Sequence, residues 1–153
     1  MEKKVNIILN CFYYGFYLLI AAVAVGMWQA VKQQMIECIS PMTTAGQIMQ
    51  YIVICYVIVS VAGGLYCFKK IIDSKKVILS ADKEGLLLQY RNWGVARITA
   101  IGFGAVLGIV AFYLMGGYNS MLWCAAISTI GLYFCKPTLR KQEIELTLDQ
   151  EHE

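Results

Sequence analysis

An all-α integral membrane protein, a bundle of four transmembrane helices, is the fold class this sequence predicts, and three observations predict it. The 153 residues are 59% hydrophobic and only 15% charged, with a mean hydropathy of +0.60. Soluble domains average about 45–50% apolar and about 25% charged residues, so the balance lies well outside the soluble range. Four apolar stretches nearly use up the chain, because each span needs roughly 20 residues. The charges are gathered between those stretches and at the ends, where bilayer edges would fall.

The first span is read at 5–30, behind Lys3 and Lys4 and interrupted only by Asn6, Asn10 and Gln29. A cleaved signal peptide is the rival reading, since Ala22-Val23-Ala24 imitates a cleavage site. The apolar run continues through Val25, Gly26, Met27 and Trp28, longer than the hydrophobic region of a signal, and favours a retained span. A lipoprotein reading of Cys11 fails because Asn10 is a poor residue before an acylated cysteine. Residues 31–47, with Lys32, Glu37, Ser40, Pro41 and Gly46, form an external loop. The second span, 48–68, is dense in β-branched residues that suit a strand in water. In lipid its length demands a helix, because backbone polar groups must be satisfied within the segment.

Residues 69–97 form a basic connector between spans 2 and 3, with Lys69, Lys70, Lys75, Lys76, Lys83, Arg91 and Arg97 against Asp73, Asp82 and Glu84. Short loops rich in Lys and Arg stay on the cytoplasmic side. Ser80 is a candidate cap for a helix in which Leu86, Tyr90, Trp93 and Arg97 recur at helical spacing, with Trp93 near the headgroups. The alternative is a hairpin, with Lys76–Ser80 and Leu86–Tyr90 as strands around Ala81-Asp82-Lys83-Glu84-Gly85. Ile98 to Cys135 is 38 residues without a charge. As one helix it would reach about 57 Å against a hydrocarbon core of about 30 Å. It must therefore fold back near Met115–Ser120, giving short spans at 98–115 and 119–135. The tail, 136–153, carries Lys136, Arg140 and Lys141 and then Glu143, Glu145, Asp149, Glu151 and Glu153. On this topology 12 of the 13 Lys and Arg share one side and Lys32 alone lies on the other, as expected for both termini in the cytoplasm. One polytopic domain, 1–153, accounts for the chain, and with no organelle-targeting segment in view the expected location is the cell membrane.

The chemistry that is missing narrows the function. No ionisable residue lies in a predicted span core, which disfavours proton-coupled export. Asn6, Asn10, Ser60, Thr99, Ser128 and Thr129 are read as groups that bond neighbouring helices or their own backbone. Cys11, Cys38, Cys55, Cys67, Cys124 and Cys135 contain no Cys-x-x-Cys pair, and His152 is the only histidine, so inert apolar cysteines are expected and no metal or other cofactor is called for. Nothing brings a nucleophile, a base and an orienting group together.

Small residues carry a structural signal instead. Ala100, Gly104 and Gly108 in the third span, and Ala22, Gly26 and Ala30 in the first, recur every four residues and so line one face of a helix, where backbones can approach closely. Packing within the bundle is the first expectation for both stripes, and a dimer or partner interface the second. Phe12, Tyr13, Tyr14, Phe16 and Tyr17 cluster deep in the first span, as core residues or as the lining of a lipid or quinone groove. Lys69, Lys70, Lys75, Lys76, Arg91, Trp93 and Arg97 are read as topology and lipid-headgroup residues. The expected partners are the lipid bilayer and a membrane protein or a second copy, with no nucleic acid. The function that fits is a non-catalytic accessory, assembly or regulatory subunit. A thiol–quinone oxidoreductase and a small transporter of an uncharged or lipidic substrate are the alternatives.

Overall fold

The computed structural model describes residues 2–79 and 83–138, with side-chain surroundings for 3–74 and 84–138. Its elements are α1 (Glu2–Lys32), α2 (Thr44–Leu79), α3 (Lys83–Leu114) and α4 (Asn119–Phe134). No strand occurs among the described residues. The first three helices are long and apolar enough to cross a membrane. The fourth, at 16 residues, is about 24 Å long at 1.5 Å per residue.

Both central helices run past their predicted spans. The connector region is helical through Leu79 on one side and from Lys83 on the other. The strand hairpin does not form: Lys76–Leu79 belongs to α2, and Leu86–Tyr90 to α3. The physical reason is that lysines and leucines at 75–79 and 83–90 are good helix formers, so charge ends the apolar span without ending the backbone ladder. The proposed cap Ser80, the turn residues Ala81 and Asp82, and the tail cations Arg140 and Lys141 with the acids that follow lie outside the described residues.

The helix ends follow local rules. At the α1 terminus, Met35 N donates to Ala30 O (3.1 Å) and Gln34 N to Val31 O (3.1 Å), a Schellman closure with Gln34 in the left-handed region at φ 54°. The α3 terminus repeats the pattern, with Gly117 N donating to Phe112 O (2.9 Å) and Gly116 N to Tyr113 O (3.2 Å). Here Gly116 and Gly117 take φ 65° and 87°, which glycine does without strain, and the chain folds back where the sequence predicts. Thr43 caps α2, its Oγ1 accepting from Gly46 N at 3.2 Å. The 33–43 loop is tied to the end of α3 by Ile39 N donating to Leu114 O at 2.7 Å.

The central helix is α3, which packs against each of the other three, and α2 also touches α4. Two apolar cores result. At the basic end, Leu9 and Tyr13 of α1 meet Phe68 and Ile72 of α2, Tyr90, Ile98 and Ile101 of α3, and Leu132 of α4. At the loop end, Val53 and Val57 of α2 meet Ala111 and Met115 of α3 with Met121 and Cys124 of α4. The first helix contributes only to the core at the basic end, up to Ile20; beyond it Val23, Ala24, Met27 and Ala30 are half-buried without joining either core.

Candidate functional site

The two small-residue stripes meet different fates. Gly104 and Gly108 of α3 are buried. A Cβ at Gly104 would lie 3.0 Å from Ser128 Oγ and 3.3 Å from Ser60 Oγ. One at Gly108 would lie 2.8 Å from Ala125 N, on the α4 backbone itself. Ala100, a turn earlier, is half-buried, and its carbonyl accepts the Tyr56 hydroxyl at 3.0 Å. These contacts hold α2, α3 and α4 together around a small polar centre. Within it Ser60 Oγ donates to Val57 O at 3.2 Å, while the fully buried Ser128 Oγ has no hydrogen-bond partner among the described residues.

On α1 the same spacing meets empty space. A Cβ on Gly26 would have no neighbour within 4 Å among the described residues, Ala22 is exposed, and Ala30 is only half-buried. Around them Leu18, Val25 and Trp28 are exposed, the last with the Lys32 ammonium 5.2 Å from its ring centroid. What seats α1 is instead a pair of glycines on the opposite helix. A Cβ at Gly94 would meet Leu9 Cδ2 at 2.6 Å, and one at Gly102 would meet Phe16 Cδ1 at 2.5 Å. Neither glycine stood out in the sequence, because they are eight residues apart with Ile98 between them rather than four.

The aromatic cluster of α1 divides by helix face. Tyr13 is buried and stacks edge-on with Tyr14 and Tyr17 at 5.3 and 5.0 Å between centroids. Cys11, Phe12, Gly15, Phe16 and Leu19 line a shallow apolar groove of about 310 Å³ on the outside. A Cβ at Gly15 would find nothing within 4 Å, so the groove floor there is bare backbone.

The basic end presents its cations in two ways. Lys69 and Lys70 are exposed and, with Leu65, Tyr66, Asp73 and Ser74, line an open groove along one face of α2. The side chains of Lys75 and Lys76 lie outside the described residues. Arg91 is half-buried and its Nε and Nη2 each donate to Asn92 Oδ1 at 3.3 Å, while Trp93 is exposed. Arg97 is different. Its guanidinium carbon lies 3.8 Å from the centroid of the Phe68 ring, and its Nε is buried without a hydrogen-bond partner among the described residues. In the same stretch Leu87, Tyr90 and Gly94 are the buried positions: of the face read from spacing Tyr90 alone points inward, while Leu86 and Arg97 are half-buried and Trp93 is exposed.

Cys124 and Cys135 are buried and Cys11, Cys38, Cys55 and Cys67 exposed; no disulfide joins any two of them. No cluster of three metal-ligating side chains occurs among the described residues. Compared with protein-family models, with curated proteins and with solved structures, the chain matches none.

Proposed function

We propose that the chain is a four-span protein of the cell membrane, both termini and the 69–97 segment in the cytoplasm, that serves as a non-catalytic accessory, assembly or regulatory subunit of another membrane protein. The observation that carries this reading is the open half of α1. From Ala22 to Ala30 the helix presents a small-residue stripe that contributes to neither core, although in an identically spaced stripe on α3 both glycines are buried against neighbouring helices. In lipid the hydrophobic effect gives helices little reason to associate, and close van der Waals contact across small residues supplies it. A second transmembrane helix laid along Ala22, Gly26 and Ala30 has that contact available. The orientation rests on charge, 12 of 13 Lys and Arg falling on one side of a four-span path. The short α4 fits such a path with local thinning of the bilayer, which costs only a fraction of a kcal/mol per Å, on the order of 1–3 kcal/mol in all.

The test is extraction in mild detergent through a tag on the carboxyl tail, with mass spectrometry of what co-purifies and a measured mass for the complex. A stoichiometric membrane-protein partner is the expected result. A lone monomer or a homodimer, or turnover of a substrate by the purified chain, overturns the subunit reading. The outer groove at Cys11, Phe12, Gly15, Phe16 and Leu19 favours one further reading, handling of an uncharged lipidic molecule, since it offers apolar surface and almost nothing polar. Substrate-dependent uptake into liposomes containing only this protein tests it.

A further inference from the structure

We propose that Arg97 and Phe68 form a binding site for a phosphate oxyanion at the seam between α2 and α3, at the boundary between the apolar and basic parts of the chain. The inference rests on the membrane reading above for its depth, and otherwise on the geometry of one side chain. Arg97 leaves α3 beside Gly64, where a Cβ would sit 3.5 Å from its Cγ and 3.1 Å from Ile101 Cδ1. The missing side chain at Gly64 therefore lets the arginine stem lie close against α2. The guanidinium then stacks on Phe68, 3.8 Å from the ring centroid, and Phe68 is itself buried and packed edge-on against Tyr90 at 5.5 Å. The ring is thus a fixed platform beneath the guanidinium.

A platform satisfies the face of the cation but none of its N–H donors. Nε is buried with no acceptor among the described residues, and a buried donor left unmade is costly, more so on a charged group. Arg97 as a whole is half-buried, so part of the residue is reachable from outside. The acceptor that matches a planar fork of N–H groups is a doubly accepting oxyanion, carboxylate or phosphate. Depth selects phosphate. Phe68 is followed directly by the exposed Lys69 and Lys70, and Arg97 directly precedes the 38 uncharged residues, so the guanidinium lies just inside the level where headgroup phosphates sit. Lys69 and Lys70 add positive potential on the approach. In the bound state the terminal N–H groups take one oxygen, and a turn of the guanidinium in its stacked plane brings Nε–H to a second.

The test uses the full chain purified without a partner, titrated in detergent with dioctanoyl phosphatidylglycerol, dioctanoyl phosphatidylcholine or inorganic phosphate, with adducts counted by native mass spectrometry. Wild type is expected to hold the anionic lipid about tenfold more tightly than the zwitterionic one, and Arg97→Gln to lose about that factor. Arg97→Lys keeps the charge but neither the stack nor the fork, and is expected to recover only part of the loss. Phe68→Leu, which removes the platform and leaves every cation, is expected to weaken binding about threefold. Competition by inorganic phosphate identifies a soluble phosphate as the natural occupant; retention of the lipid against it identifies a headgroup. If Arg97→Lys binds as wild type does, or if Arg97→Gln keeps both its helical content and its lipid, the site does not exist. Carbonate washing of cell membranes separates the two readings: release of the chain from them sinks the membrane reading, whereas retention without phosphate binding sinks only this one.

Discussion

The stripes on α1 and α3 have the same spacing and nearly the same composition, yet one is buried against two helices and the other faces outward. Gly108 meets the α4 backbone at 2.8 Å from where its Cβ would be, while Gly26 has nothing within 4 Å. Small residues at i and i+4 permit close approach; they do not recruit a neighbour. What recruited one at Gly108 is the tight turn at Gly116-Gly117, which sends α4 straight back along α3 so that Ala125 lies opposite. After α1 comes an 11-residue stretch, 33–43, that is pinned to the far end of α3 through Ile39 and Leu114, and it returns α2 to α3 rather than to α1.

This contrast can be broken or sharpened by substitution. Gly108→Val drives a branched side chain into the Ala125 backbone; with no flexible group to yield, a loss of about 3 kcal/mol or more is expected. It should be read as a large fall in the thermal midpoint of the detergent-solubilised protein, and an unchanged midpoint would mean that α4 does not lie on Gly108. Gly102→Ala meets the Phe16 ring, a side chain able to move, so a smaller cost of about 1 kcal/mol is expected, with α1 rather than the whole bundle loosened. Hydrogen exchange confined to residues 5–20 would show it. Smallest on stability is Gly26→Leu, within about 0.5 kcal/mol of wild type. Its effect belongs elsewhere: the co-purifying partner should be lost while the midpoint holds. If Gly26→Leu destabilises the isolated chain as much as Gly108→Val does, the two stripes are alike after all and the open half of α1 is packed in solution.

Much of this was legible in the residues themselves. The uncharged 38-residue run is too long for one span, and Gly116-Gly117 marks the fold-back that the structure makes. The helix continuing through Lys69, Lys70 and on to Leu79 was not legible, because hydropathy reports what surrounds a segment while the backbone ladder depends on local propensity. Gly94 and Gly102 do not form a small-residue repeat of four, so their packing role leaves no such mark in the sequence. A glycine pair eight apart, with Ile98 on the same face between, is the signal that would have found the α1 seat. The Arg97–Phe68 stack was beyond sequence reasoning altogether, since it depends on the register of α2 against α3.

That register has a consequence for the cations of α2. From Gly64 to Leu79 the helix is unbroken, and Phe68 and Ile72 are buried in the core at the basic end. The azimuth at which Lys69, Lys70, Asp73 and Ser74 project is therefore keyed to the core, as teeth are keyed to a shaft, each residue turning the face by about 100°. One residue inserted ahead of Phe68 could turn the charged face by that angle only by turning Phe68 and Ile72 out of the core with it, so what reads in sequence as a loose run of lysines is a surface with a fixed heading.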